Sequence, residues 1–305
     1  AGAVLLMWLG ELITEQGIGN GISMLIFAGI ISQMPSTLTT LGTSLVDTSK
    51  GTLNVFGWFQ IPVNPTAFWV SIIIAVASLM VLYLLVKINE AQRVITINYA
   101  KRVQGNSSYG GVKSILPIKL IAAGVIPVIF AVAFLSLPAF LGQVLKASGN
   151  QQYLELANNL ITWFQAPQPG AFTGDTWAAL IYPLSYFILV IIFTYFYTGI
   201  VFNSNEIAEN LQKQGGFIEG VRPGLQTEKY LSRTVNRLIL FGSLVLGLIA
   251  VMPFIAEYIF AQAGITGIQN LAIGGTGILI VVSVALESLR QINSRALMVT
   301  YDDYQ

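Results

Sequence analysis

The ten residues Gly105-Asn106-Ser107-Ser108-Tyr109-Gly110-Gly111-Val112-Lys113-Ser114 come closer than any others to a catalytic signature, with two of the glycines, Gly105 and Gly110, at phosphate-loop spacing ahead of a lysine–serine pair. A phosphate loop needs its lysine directly after the second glycine, so that the ammonium and the backbone N–H groups converge on the phosphates. Here two residues intervene and no buried strand precedes, so the segment reads as a flexible loop without a nucleotide site. The sequence has no Cys and no His, which removes thiolate nucleophiles, imidazole bases, disulfides and the usual zinc ligand sets. No catalytic residue, metal or cofactor is therefore expected, and the protein does not read as an enzyme.

The chemistry that remains is that of basic side chains on loops. Lys87, Arg93, Lys101, Arg102, Lys113 and Lys119 form one group, Lys213, Arg222, Lys229, Arg233 and Arg237 a second, and Arg290 and Arg295 follow near the end. Only Lys50 and Lys146 lie elsewhere. Fourteen acidic residues balance the fifteen basic ones, so no global charge points to nucleic acid.

The elements that hold these loops are apolar. Of the 305 residues 54% are hydrophobic and 10% charged, which excludes an ordinary water-soluble domain. Six stretches carry no charge: 18–34, 67–86, 120–145, 178–202, 238–256 and 271–286. Crossing a bilayer core takes about 20 apolar residues, so these read as six transmembrane helices. The piece before them, broken by Glu11, reads as the tail of another helix. The chain begins Ala1-Gly2-Ala3-Val4 without Met or a basic leader, and reads as part of a longer protein. Basic residues gather at the cytoplasmic ends of spans, which places loops 88–117 and 203–237 and the C-terminus in the cytoplasm. Loops 36–66 and 146–177, rich in polar residues with Trp58, Trp163 and Trp177, fall outside. Loop 203–237 shows an apolar stripe at Ile207 and Leu211, a stop at Gly215-Gly216, a rigid turn at Arg222-Pro223-Gly224 and a second helical start near Thr227. An arginine beside such a turn suits docking of phosphate or carboxylate, the favoured reading, with a solvated positive-inside loop as the alternative.

Specific strings go further. Met7-Trp8-Leu9-Gly10-Glu11 runs into Gly17-Ile18-Gly19-Asn20-Gly21-Ile22-Ser23, a tight reversal between helices. Gln92-Arg93, Asn98-Tyr99-Ala100-Lys101-Arg102, Gly124-Val125-Ile126-Pro127, Asn205-Glu206-Ile207-Ala208-Glu209-Asn210-Leu211, Gly220-Val221-Arg222-Pro223-Gly224 and Gly274-Gly275-Thr276 follow in order. This series resembles the SecY family, the protein-conducting channel subunits of the bacterial Sec translocon, from the end of the fourth helix through the tenth.

The resemblance implies an all-α integral membrane half-channel. It divides the chain into 1–35 (end of the fourth helix, turn and fifth helix), the external loop 36–66, and a five-helix half over 67–305. It implies a central channel subunit that passes unfolded secretory proteins and releases hydrophobic segments into lipid through a lateral gate. A pore ring falls on Ile22, Ile26, Ile129 and Ile280, and a gate kink on Gly124 and Pro127. Arg93, Lys101, Arg102, Arg222, Pro223 and Gly224 fall on the surface that receives the ribosome, through its rRNA, and the SecA motor. Further implied partners are SecE, SecG, signal peptides, nascent chains and membrane lipid, in the bacterial inner membrane. Val94, Ile121 and Gly277 depart from the family pattern, where Arg, Asn and Ser are common. Outside the resemblance, isoleucine in a membrane helix ordinarily faces lipid or packs in a bundle. A secondary solute transporter is the main rival, against which the lack of ionisable residues within the six stretches counts. A scaffold that recruits ribosomes without conducting is a third reading.

Overall fold

The structure is a computed structural model that describes every residue except 1, 17–19, 47–52, 56–58, 62–64, 100–101, 105–106, 110–112, 122–123, 125, 150, 168–175, 263–274 and 303–305. Helices dominate: α1 (Gly2–Glu15), α2 (Gly21–Val46), α3 (Pro65–Glu90), α4 (Ile126–Ala147), α5 (Gln151–Phe164), α6 (Thr176–Val201), α7 (Ser204–Lys213), α8 (Leu225–Gln262) and α9 (Gly275–Asp302). Between them run the short strands β1 (Leu53–Val55), β2 (Phe59–Ile61), β3 (Gln92–Tyr99), β4 (Arg102–Gln104), β5 (Ser107–Tyr109), β6 (Lys113–Lys119) and β7 (Gly216–Ile218). Each of the six expected spans is represented by a helix. Among the described residues, four stretches are long and apolar enough to cross a membrane: Ser71–Glu90, Ile126–Ala147, Trp177–Lys213 and Leu225–Ile259.

Several boundaries differ from the sequence reading. Helix α2 runs through Pro35 to Val46, so the loop expected over 36–66 begins later and contains the hairpin β1–β2. Proline removes one donor, and in α2 the Ser36 and Thr39 hydroxyls bond to carbonyls three residues back. Loop 146–177 contains the amphipathic helix α5. The third span opens at Ile126 instead of residue 120. Loop 88–117 is largely strand, an addition to a predominantly helical architecture that agrees with the all-α membrane class.

The chain forms two compact units: residues 1–86, 132–186 and 249–305 in the first, 87–131 and 187–248 in the second. In the first, α1 and α2 approach at two glycines: a side chain on Gly21 would collide with the Gly10 carbonyl oxygen, and one on Gly10 would meet Ile22 Cγ1 at 3.0 Å. Thr14 Oγ1 donates to the Gly10 carbonyl oxygen at 2.8 Å and accepts from the Gly21 N–H at 2.9 Å, while Asn20 Oδ1 accepts from Ser23 N–H at 3.2 Å as the cap of α2. Helix α5 lies on α4 at Gly142, whose missing side chain leaves room for the Ala157 carbonyl and Ile161. Tyr182 packs edge-on to Phe254 with ring centroids 5.5 Å apart.

The second unit is built on the antiparallel sheet β6–β3–β7. Ile95 and Ile118 project from one face, join Ile218, and bury against Leu231, Val235 and Ile239 of α8. These three positions, spaced by four, make one side of a helix. Pro117 is tolerated because β6 is an edge strand. Gly242 brings α8 against the turn before α4, since a Cβ there would lie 2.5 Å from the Leu120 carbonyl oxygen.

Candidate functional site

Two loops that are remote in sequence meet in the sheet of the second unit. β3 and β6 come from the first basic loop and β7 from the second, with Ile97 opposite Ile218 and Tyr99 opposite Gly216. A side chain on Gly216 would meet the Tyr99 ring at 3.1 Å and Ile97 at 3.2 Å, so glycine permits the close pairing. Arg93, in β3, is exposed, and so is Arg222 beyond β7. Arg102 sits in the β4–β5 hairpin, and Lys101 lies outside the described residues.

The turn carrying Arg222 is fixed locally. Gly224 has φ +94°, a left-handed conformation that favours glycine after Pro223. Thr227, nearly inaccessible, donates from Oγ1 to the Arg222 carbonyl oxygen at 3.0 Å, and Glu228 N–H donates to the Gly224 carbonyl at 3.1 Å. The second helical start expected near Thr227 is the first turn of α8 itself, continuous with the fifth apolar stretch. Thr227 and Asn20 are positioning residues whose roles in loop geometry the sequence reading did not isolate. Lys113 and Ser114 open strand β6 and not a helix, so no helix N-terminus stands at that lysine–serine pair, and Gly105, Gly110 and Gly111 lie outside the described residues.

The four isoleucines divide between the units. Ile22 and Ile26 are on α2 and Ile280 is on α9, all in the first, whereas Ile129 belongs to α4 in the second. Helices α2 and α9 pack together, and a side chain on Gly277 would meet Ile30 Cγ2 at 3.4 Å, ordinary van der Waals contact. Ile30 continues the side of α2 that carries Ile22 and Ile26, and Gly277 precedes Ile280 by about one turn. Ile280 is 9% exposed and Ile22 49%. The contact at Gly277 has room for a small side chain, so its departure from Ser is sterically mild. Ile121 is buried, and Val94 is exposed on β3.

Gly124 and Pro127 do not form a kink within the span. Gly124, with φ +62°, lies in the turn before α4, and Pro127 is the second residue of that helix. A proline in the first turn costs little because its missing N–H has no intrahelical acceptor there. The proline inside α4 is Pro138.

The sequence model of the SecY family matches residues 1–289. The chain is 40% identical over 304 residues to the protein translocase subunit SecY of Streptomyces galbus, spanning all of this chain and 61% of that protein. It is 38% identical over 305 residues to the same subunit of Thermus thermophilus, again over the whole chain and 60% of the relative. The chain thus spans about three fifths of the length of these relatives. Among solved structures, a protein-conducting channel superposes with a TM-score of 0.56 at 22% identity, over 95% of this chain and 63% of the other. A SecY structure described for the role of its plug domain in the closed channel gives 0.55 at 21%, over 95% and 64%. The sequence matches establish the family and the superpositions the fold: this chain belongs to the SecY family.

Proposed function

We propose that the chain is the C-terminal part of a protein-conducting channel, passing unfolded secretory proteins across the bacterial inner membrane and releasing hydrophobic segments sideways into lipid. The observation that carries the reading is family membership over nearly the whole chain, in a protein whose expected spans contain no charge. Ile22, Ile26, Ile129 and Ile280 are proposed as this chain's share of an apolar ring, which conforms loosely to any extended polypeptide and dewets when narrow. Gly124 and Pro127 are proposed to set where the gate helix α4 begins. Energy would come from partners.

The basic loops and the C-terminus face the cytoplasm in this reading, with Arg93, Lys101, Arg102 and the Arg222-Pro223-Gly224 turn receiving the SecA motor or ribosomal RNA. SecE and SecG complete the assembly. Vesicles reconstituted with the complete protein test the function: preprotein import driven by the motor supports it, whereas solute flux without import would return the reading to a secondary transporter. Ribosome binding without either activity would leave a scaffold.

A further inference from the structure

Helix α5 begins close to the end of a span. Gly149, with φ +70°, follows the last turn of α4, and α5 opens two residues later at Gln151. The two helices touch at Gly142, where an added Cβ would lie 2.9 Å from the Ala157 carbonyl oxygen and 2.9 Å from Ile161 Cγ1. Gly142 stands three residues before Leu145, the last of the third charge-free stretch. At about 1.5 Å per residue the contact lies about 4.5 Å inside the end of that stretch, at the boundary between acyl chains and headgroups. Leu141 and Val144 of α4 are exposed at the same level, so α5 adds to an apolar surface that the span already offers at this depth.

At about 100° per residue α5 presents three flanks. Ala157, which is buried, and Ile161 make the flank seated on α4. Glu155, Asn158, Asn159 and Thr162 make an exposed polar flank, with the Thr162 hydroxyl donating to the Asn158 carbonyl oxygen at 2.8 Å. The third flank is apolar and open: Tyr153 is 46% exposed, Leu156 52% and Trp163 38%. The seated flank lies between the other two, which suits a helix lying flat beside a span with water on one side and hydrocarbon on the other. Tyr and Trp, apolar rings with one polar tip, stand on either side of Leu156, as in the aromatic belt of a membrane interface. Trp177, 81% exposed, adjoins the opening of the next charge-free stretch at residue 178 and places another such ring at this end of the spans. No Lys or Arg lies on α5, so burial of apolar surface, without attraction to anionic headgroups, is what can hold the helix there.

We propose that α5 is an interfacial anchor, with Tyr153, Leu156 and Trp163 inserted into the lipid at the end of α4 and Glu155, Asn158 and Thr162 in water. It fixes the depth of that end of α4. The chain has no Cys, so a bimane fluorophore on Leu156→Cys or on Asn158→Cys reports each flank in the complete protein, with any cysteine outside this chain replaced by Ser. Phosphatidylcholine nanodiscs leave both membrane faces open to solutes. Phosphatidylcholine brominated near the carbonyl end of its acyl chains should quench the Leu156 label several-fold more than the Asn158 label, and aqueous iodide should do the reverse. Equal response of the two labels to either quencher overturns the proposal. Protection of the Leu156 label from both quenchers overturns it in favour of a protein cover, a second copy or another subunit. Exchanging part of the phosphatidylcholine for phosphatidylglycerol should leave the contrast unchanged, and a contrast that needs the anionic lipid overturns an anchor held by apolar burial. Should Leu156→Cys not fold, Tyr153→Cys on the same flank decides by the same comparison.

Discussion

Thr227 Oγ1 donates to the Arg222 carbonyl oxygen at 3.0 Å, so a nearly buried hydroxyl on the first turn of α8 holds the turn that presents an exposed arginine. Thr227→Val preserves shape and deletes the bond, at a cost of about 1 kcal/mol to the local turn. Motor-driven translocation by the complete protein should fall several-fold, and Arg222→Glu should nearly abolish it. Normal transport in the Glu variant, measured as protected preprotein in vesicles, would remove Arg222 from the docking surface.

The ring assignment predicts leak. Ile280, 9% exposed on α9, becomes a hydrogen-bonding side chain in Ile280→Asn, and Ile129→Asn does the same on α4. A polar group favours water in a narrow apolar throat. Each variant should raise ion conductance through planar bilayers and relax signal-sequence selectivity. An unchanged conductance in both would show that these residues face lipid or packed helices instead.

Close approach at Gly242 sets a steric test. A Cβ there lies 2.5 Å from the Leu120 carbonyl oxygen, a backbone atom that moves only with its turn. Gly242→Ala should destabilise the complete protein by about 1–3 kcal/mol, read as a lower unfolding midpoint in detergent. Gly277→Ser, at a site with ordinary contact distances, should leave that midpoint nearly unchanged.

The joining of the two basic loops rests on one core. Leu231 is fully buried with Ile95, Ile118 and Ile218. Leu231→Ala should cost about 2–5 kcal/mol, felt chiefly where the sheet packs on α8. Limited proteolysis should then cut both loops faster, at 92–119 and at 214–224 together. Accelerated cleavage of one loop alone would contradict a shared core.

Sequence alone determined the membrane class, the number and rough positions of the apolar helices, the basic loops and the family. Charge-free stretches of adequate length are local properties, and strings such as Gly220-Val221-Arg222-Pro223-Gly224 carry their identity without a fold. Even there, the stretch read over 18–34 stops short of α2, which continues through Pro35 to Val46, and Gly124 with Pro127 suggested a kink where α4 begins. Only the tertiary structure decided that the loops share a sheet. Loop 88–117 reads in the sequence only as a basic loop, and the edge position that lets Pro117 sit in β6 is invisible until pairing is known. The pairing of Ile97 with Ile218 is a long-range contact, paid for by burial against Leu231, Val235 and Ile239, and no local pattern encodes which distant strand will fill that face.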